Sequence, residues 1–95
     1  MKTSFVYILT NKNKTTLYIG VTNNLGRRLS EHNENTGSKF TKKYQVRHLV
    51  YYEVFENIKD AIKREKQLKG WSRIKKENII NKINPNWDFL EDSLI

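Results

Sequence analysis

Between Tyr18 and His32 the chain reads Tyr-Ile-Gly-Val-Thr-Asn-Asn-Leu-Gly-Arg-Arg-Leu-Ser-Glu-His. A strand that carries Tyr18 ends at Gly20, a short polar turn follows, and a helix beginning near Leu25 sets Arg28 and His32 at i and i+4, on one face. A phenol, a guanidinium and an imidazole gathered in this way suit a phosphodiester. One handles a proton, one holds an anion, and one serves either purpose.

The elements that must position these groups are legible from pattern. Phe5-Val6-Tyr7-Ile8-Leu9 is a short β-branched and aromatic run, a strand by length, and Thr16 to Gly20 reads as its hairpin partner across a turn at Asn11-Lys12-Asn13-Lys14. Tyr7 and Tyr18 then lie on neighbouring strands and meet if the register allows it. Asn23 or Asn24 caps a helix over about Leu25 to Asn33, with Leu25 and Leu29 as its apolar stripe. The polar, basic stretch from Asn33 to Lys43 reads as a contact loop, and Val46 to Phe55 as a third strand.

A helix over Ile58 to Lys69 carries Ile58, Ala61, Ile62 and Leu68 on its apolar side, with Glu65 in the gap one turn before Leu68. An inward carboxylate is costly unless it is paired, hydrogen-bonded or bound to a cation. A core-edge lysine or arginine would satisfy it as well as a metal would. Gly70 offers a left-handed cap, and Ser72 caps a last helix through about Lys82 with Ile74, Ile79, Ile80 and Ile83 as its apolar residues. Asn84-Pro85 stops that helix. The reading is one domain over residues 1–95, with a core at about 4–83 and a C-terminal extension from 84 to 95.

Ninety-five residues with 37% hydrophobic content suffice for one core. A net charge of +8 favours a polyanionic partner, nucleic acid first, although ribosomal association or plain solubilising charge gives the same total. There is no run near the roughly 18 apolar residues of a membrane span and no signal-peptide pattern at Met1-Lys2-Thr3-Ser4, so a cytoplasmic protein is expected. Without cysteine, any metal must be held by oxygen or histidine ligands.

Phe5-Val6-Tyr7, Tyr18-Ile19-Gly20, Arg28, His32 and Glu65 are followed by Leu49-Val50-Tyr51-Tyr52-Glu53, Arg64-Glu65, Leu68-Lys69-Gly70-Trp71 and Asn84-Pro85-Asn86-Trp87. In order and spacing, over almost the whole chain, this set resembles the GIY-YIG nuclease family. It is most similar to the small stand-alone bacterial members and to the amino-terminal nuclease domain of the excision-repair incision subunit. The resemblance implies an α/β (α+β) fold, a three-stranded antiparallel sheet flanked by helices. It also implies structure-directed or weakly specific hydrolysis of a DNA phosphodiester with one divalent cation, Mg2+ or Mn2+, linked to repair or recombination. Tyr18 would accept the proton of the attacking water, Tyr7 would orient Tyr18 or the water, Arg28 would hold the phosphate oxygens, and His32 would stand near the nucleophile. Glu65 would ligate the metal, and Gly20 would let the backbone approach the phosphate. An ordinary tyrosine titrates at about 10, so Tyr18 needs a cation nearby to act as a base. Lys39, Lys42, Lys43, Arg47, Lys69, Arg73, Lys75 and Lys76 would bind DNA backbone without reading sequence.

Two departures stand out. Val21 occupies a position where the incision subunit tends to carry lysine, for which Lys12 or Lys14 would substitute. The family's closing asparagine has Asp88 as its nearest candidate. Beside the chemical readings stand plainer ones: Tyr7 and Tyr18 as half-buried strand tyrosines, His32 as a surface histidine, and Trp71 and Trp87 as aromatics closing a small core. At the level of function, a metal-dependent endonuclease competes with a nucleic-acid-binding module of little turnover and with a basic protein-interaction domain.

Overall fold

A computed structural model describes residues 3–33 and 39–94. Its elements run β1 (Ser4–Thr10), β2 (Leu17–Thr22), α1 (Leu25–Asn33), α2 (Lys39–Tyr44), β3 (His48–Phe55), α3 (Ile58–Lys69), α4 (Arg73–Ile83) and a 3-10 helix at Leu90–Leu94. The sheet has three antiparallel strands in the order β2-β1-β3. A central strand between two covered faces needs apolar residues on both sides, and β1 supplies them. Val6 and Ile8 join Ile19, Val50, Ala61, Leu68 and Ile80 on the α3 and α4 side, while Tyr7 and Leu9 join Leu25, Leu29, Val46 and Leu49 on the α1 side.

The hairpin turn falls at Asn11 to Lys14, as read from the sequence. Lys14, not an asparagine, takes the left-handed backbone, with φ 60°. Asn11 acts through its side chain instead, whose Oδ1 accepts from the backbone N–H groups of Thr15 and Thr16 at 2.8 and 3.1 Å. Asn24 is the α1 cap, its Oδ1 accepting from the Arg27 N–H at 3.1 Å.

Part of the expected contact loop is helix α2. Its apolar and hydroxyl residues Phe40, Thr41 and Tyr44 fall on one side, a pattern too short to stand out among three lysines. Residues 34–38 of that expected loop lie outside the described residues. The helix closes through left-handed Gln45, φ 57°, with the Val46 N–H returning to the Thr41 carbonyl at 3.0 Å, so β3 starts at His48 rather than Val46.

The β1 and β3 ladder shifts register between Ile8 and Leu9, leaving Val50 without an opposite number. Asn84 repairs the break: its Nδ2 donates to the Val50 carbonyl and to the Asp88 carbonyl, both at 2.9 Å, and its Oδ1 accepts from the Asp88 N–H. Glu91 completes the seam, accepting from the Leu49 N–H at 2.8 Å and from His48 Nδ1 at 2.6 Å.

The stripe of α3 is narrower than its sequence suggested. Ala61, Glu65 and Leu68 face inward at i, i+4 and i+7, whereas Ile58 and Ile62 are exposed. On α4 only Ile80 is fully buried, and Ile74 and Ile83 are about 70% exposed (69% and 70%). Gly70 ends α3 in the right-handed region, at φ −80° and ψ −8°, so no left-handed cap is used. Its N–H bonds back to Lys66 and Gln67 in a tightening last turn, and the Ser72 side chain then caps α4 by accepting from the Lys75 N–H. No described helix is long and apolar enough to cross a membrane.

Candidate active site

The register pairs Tyr7 with Gly20 and Leu9 with Tyr18, so Tyr7 and Tyr18 are diagonal neighbours on the α1 face of the sheet. Their ring centroids are 6.4 Å apart. The helical spacing of Arg28 and His32 brings both onto the Tyr7 hydroxyl, with Arg28 Nε at 3.2 Å and His32 Nε2 at 3.3 Å. The Tyr18 ring meets the His32 ring edge-on at 5.7 Å. The cluster read from sequence is therefore one physical unit.

Burial separates the roles of its members. Tyr7 is 1% exposed and His32 3%, whereas Tyr18 and Arg28 are half-buried. Burial raises the Tyr7 phenol above its usual pKa, and Arg28 only partly offsets this, so Tyr7 stays protonated. Burial likewise lowers His32, with the Arg28 charge adding to the effect, and the imidazole is neutral at pH 7.

A guanidinium only donates, so the Tyr7 oxygen accepts from Arg28, and its own proton is left to bond His32 Nε2 where the imidazole carries its proton on Nδ1. In that tautomer Nδ1 donates to Thr41 Oγ1, which lies 3.1 Å away. The result is a directed chain from Arg28 through Tyr7 and His32 to α2. His32 is thus not the surface histidine of the plain reading. Tyr7, Glu31 and Tyr18 together hold Arg28 above its ordinary value, against burial.

Gly20 also makes room for a neighbouring side chain. A Cβ placed there would overlap the hydroxyl and ring of Tyr7, so the missing side chain is the space that Tyr7 occupies.

Residues 3–78 match the family model for the GIY-YIG catalytic domain. This chain belongs to the GIY-YIG family. The family is one of nucleases, which act on DNA and generally use a divalent metal. The chain is 41% identical over 78 residues to a UPF0213 protein of Clostridium perfringens, covering 82% of this chain and 83% of that one. It is 38% identical over 80 residues to a UPF0213 protein of Staphylococcus aureus, covering 84% and 96%. The solution NMR structure of a UPF0213 protein from Bacillus halodurans superposes with a TM-score of 0.57 at 29% identity, over 96% of this chain and 93% of that one.

The remaining GIY-YIG positions are distributed through the fold. Glu65 faces inward from α3 as its spacing indicated, with 14% of its side chain exposed, and pairs with Lys69 at 3.2 Å. Helix α3 packs on the sheet face opposite the tyrosines, and Glu65 makes no hydrogen bond or ion pair to Tyr7, Tyr18, Arg28 or His32. Its motif neighbour Arg64 clamps α3 to β3, donating to Glu53 from Nε at 3.0 Å and from Nη2 at 3.0 Å. Burial would raise the Glu53 carboxyl, but Arg64 and Tyr51 hold it below the usual range, and Tyr51 is itself pushed up to about 12 by burial and by Glu53.

Val21 packs into the core on the α3 side, and Lys14 is engaged by the C-terminal segment, through the Asn86 carbonyl at 3.4 Å and the Phe89 ring. Lys14 therefore does not stand in for a lysine beside Gly20. Asp88 is exposed and has its backbone held by Asn84, which is the buried asparagine of this segment.

The expected basic rim divides. Lys42 and Lys43 are exposed on α2 beside the tyrosine cluster, and Arg47 follows that helix half-buried, while the side chain of Lys39 lies outside the described residues. Lys69, Arg73, Lys75 and Lys76 belong to the α3 and α4 layer. Arg73 pairs with Glu77 at 2.7 Å and donates to the carbonyls of Thr15 and Lys14, pinning the hairpin turn, and Lys75 lies over the Trp71 ring. Trp71 and Trp87 pack half-buried against the core on this side, as the plainer reading had it.

Three members of the cluster were missed. Glu31 sits one turn after Arg28 and pairs with it at 3.2 Å, a spacing that was available in the sequence. Thr41 and Phe40 enter through α2 and had no local signal.

Proposed function

We propose that this GIY-YIG domain is a divalent-metal-dependent DNA endonuclease, structure-directed or weakly specific and linked to repair or recombination. One observation carries the reading. A half-exposed phenol and guanidinium, Tyr18 and Arg28, sit on a buried, fully bonded base of Tyr7, His32 and Thr41, which suits groups that must hold still while charge develops on a phosphate.

Among the described residues no group of three or more His, Cys, Asp or Glu could cage a metal. A single inward carboxylate nevertheless fits Mg2+ or Mn2+, since magnesium keeps several waters and commonly uses one or two protein carboxylates, and Glu65 offers one beside a displaceable lysine. Bound there, the ion would supply Lewis acidity and stabilise the leaving oxygen. Tyr18, as the phenolate, accepts the proton of the attacking water, Arg28 holds the non-bridging oxygens, and Tyr7 and His32 position Arg28. Strand β2 is a sheet edge and α3 packs against it, so a phosphate that meets both Tyr18 and Glu65 lies across that edge.

A binding module with little turnover is the second reading, favoured by the pairing of Glu65 with Lys69 away from the phenols. Cleavage of flapped, branched and single-stranded DNA with Mg2+ or Mn2+, by the wild type and by Glu65→Ala, separates the two. Metal-dependent cutting lost in Glu65→Ala supports the nuclease. Equal background cutting by two proteins that both bind DNA supports the module.

A further inference from the structure

The aromatic row of the site does not stop at Tyr18. Phe40 of α2 lies 5.9 Å from the Tyr18 ring at an interplanar angle of 30°, and Tyr44 lies 4.8 Å beyond Phe40. The two α2 rings are one helical turn apart and therefore share a face. They are 42% and 44% exposed, although burying such rings is among the most favourable things a small fold can do. Helix α2 also carries Lys42 and Lys43, both exposed, and Lys43 Nζ stands 5.4 Å from the centre of the Tyr44 ring. Part-exposed rings with lysines over or beside them are the elements with which proteins hold single-stranded nucleic acid: a base takes the exposed face, displacing a flexible lysine where one lies over it, and the lysines follow the backbone.

The row continues directly from the proposed catalytic phenol, so a base seated on it belongs to the same strand as a phosphate at Tyr18 and Arg28. We infer that Phe40 and Tyr44 form a stacking platform for an unpaired nucleobase, making single-stranded or flapped DNA the preferred substrate. A duplex keeps its bases inside and offers this surface only phosphates. The inference rests on the nuclease reading for its substrate, but concerns binding alone. A second copy of the chain and a protein partner are the other occupants such a face allows, and the positive charge beside the rings favours a polyanion over either.

The test is binding in EDTA at low salt, where no cleavage intervenes. The probes are an oligothymidylate, an oligonucleotide of equal length with abasic sites at its centre, and a duplex. The wild type is expected to bind the oligothymidylate about tenfold more tightly than the abasic strand, a typical contribution of one stacked base. Phe40→Leu and Tyr44→Leu keep bulk on α2 but remove the π-face, and should abolish that ratio while duplex affinity stays the same. Phe40→Trp should keep it. Equal affinity of the wild type for the normal and abasic strands, or a Phe40→Leu protein that still discriminates, overturns the platform and leaves the nuclease reading standing. A wild-type dimer in sedimentation that Phe40→Leu dissociates also overturns it, because the face is then a self-contact. Failure to bind any of the three probes removes both readings.

Discussion

Gly20 lies directly opposite Tyr7 in the β1 and β2 pair, and the Tyr7 ring fills the space that a side chain at Gly20 would take. The glycine of Tyr18-Ile19-Gly20 and the tyrosine of Phe5-Val6-Tyr7 are thus a single packing unit. Tyr7 is fully enclosed, so it has nowhere to retreat. Gly20→Ala is expected to cost about 1–3 kcal/mol by overpacking. Combining it with Tyr7→Leu should cost less than the sum of the two single changes, as measured by urea denaturation of the four proteins.

Tyr7→Phe removes one hydroxyl and leaves the buried His32 Nε2 without its donor. The expected destabilisation is about 1–3 kcal/mol, most of it from desolvating that nitrogen unpaired. The same chain predicts the neutral Nδ1–H tautomer of His32 at pH 7.5, which imidazole nitrogen-15 shifts report. An Nε2–H tautomer would contradict the directed chain.

Acid should destabilise the fold in two stages. The folded pKa of His32 is depressed, so its contribution is complete above the ordinary histidine value of about 6.5 and is lost as the pH falls below it. That of Glu53 is also depressed, so its contribution is present above the ordinary carboxylate value of about 4.3 and is lost as the pH falls further. Melting temperatures should therefore fall from pH 7.5 to 5.5 and again below 4.5. His32→Gln should flatten the first decline and leave the second.

Asn84→Ala removes the side-chain partner of the Val50 carbonyl at the register shift and of the Asp88 N–H. A loss of about 1–3 kcal/mol is expected. Hydrogen exchange should quicken first in β3 near Leu49 and Val50 and in the 3-10 helix. Uniform acceleration across the sheet would show that the seam is not a local unit.

Salt should sort the basic residues by layer. Lys42→Ala with Lys43→Ala should weaken DNA binding and lower the slope of log affinity against log salt by about 1–2, as expected when one or two phosphate contacts are lost. Arg73→Ala should instead lower stability, because that guanidinium is committed to Glu77 and the hairpin turn.

What the amino-acid order by itself determined was whatever depends on neighbours a few residues apart. The three strands and the helices α1, α3 and α4, the α1 bounds, a cap at Asn23 or Asn24, the Ser72 cap, the pairing of Arg28 with His32 and the inward direction of Glu65 all follow from periods of two and 3.6 and from local capping chemistry. Only the tertiary structure decided which phenol is sealed and which is half-open, because that depends on the strand register and on what α2 lays over them. It also decided that Gly20 serves Tyr7, that Asn84 mends the break at Val50, and that Glu65 rises from the opposite face of the sheet. Each of these joins residues far apart in the chain, and the free energy that selects them, packing of rings and satisfaction of buried polar atoms, exists only once the layers have closed.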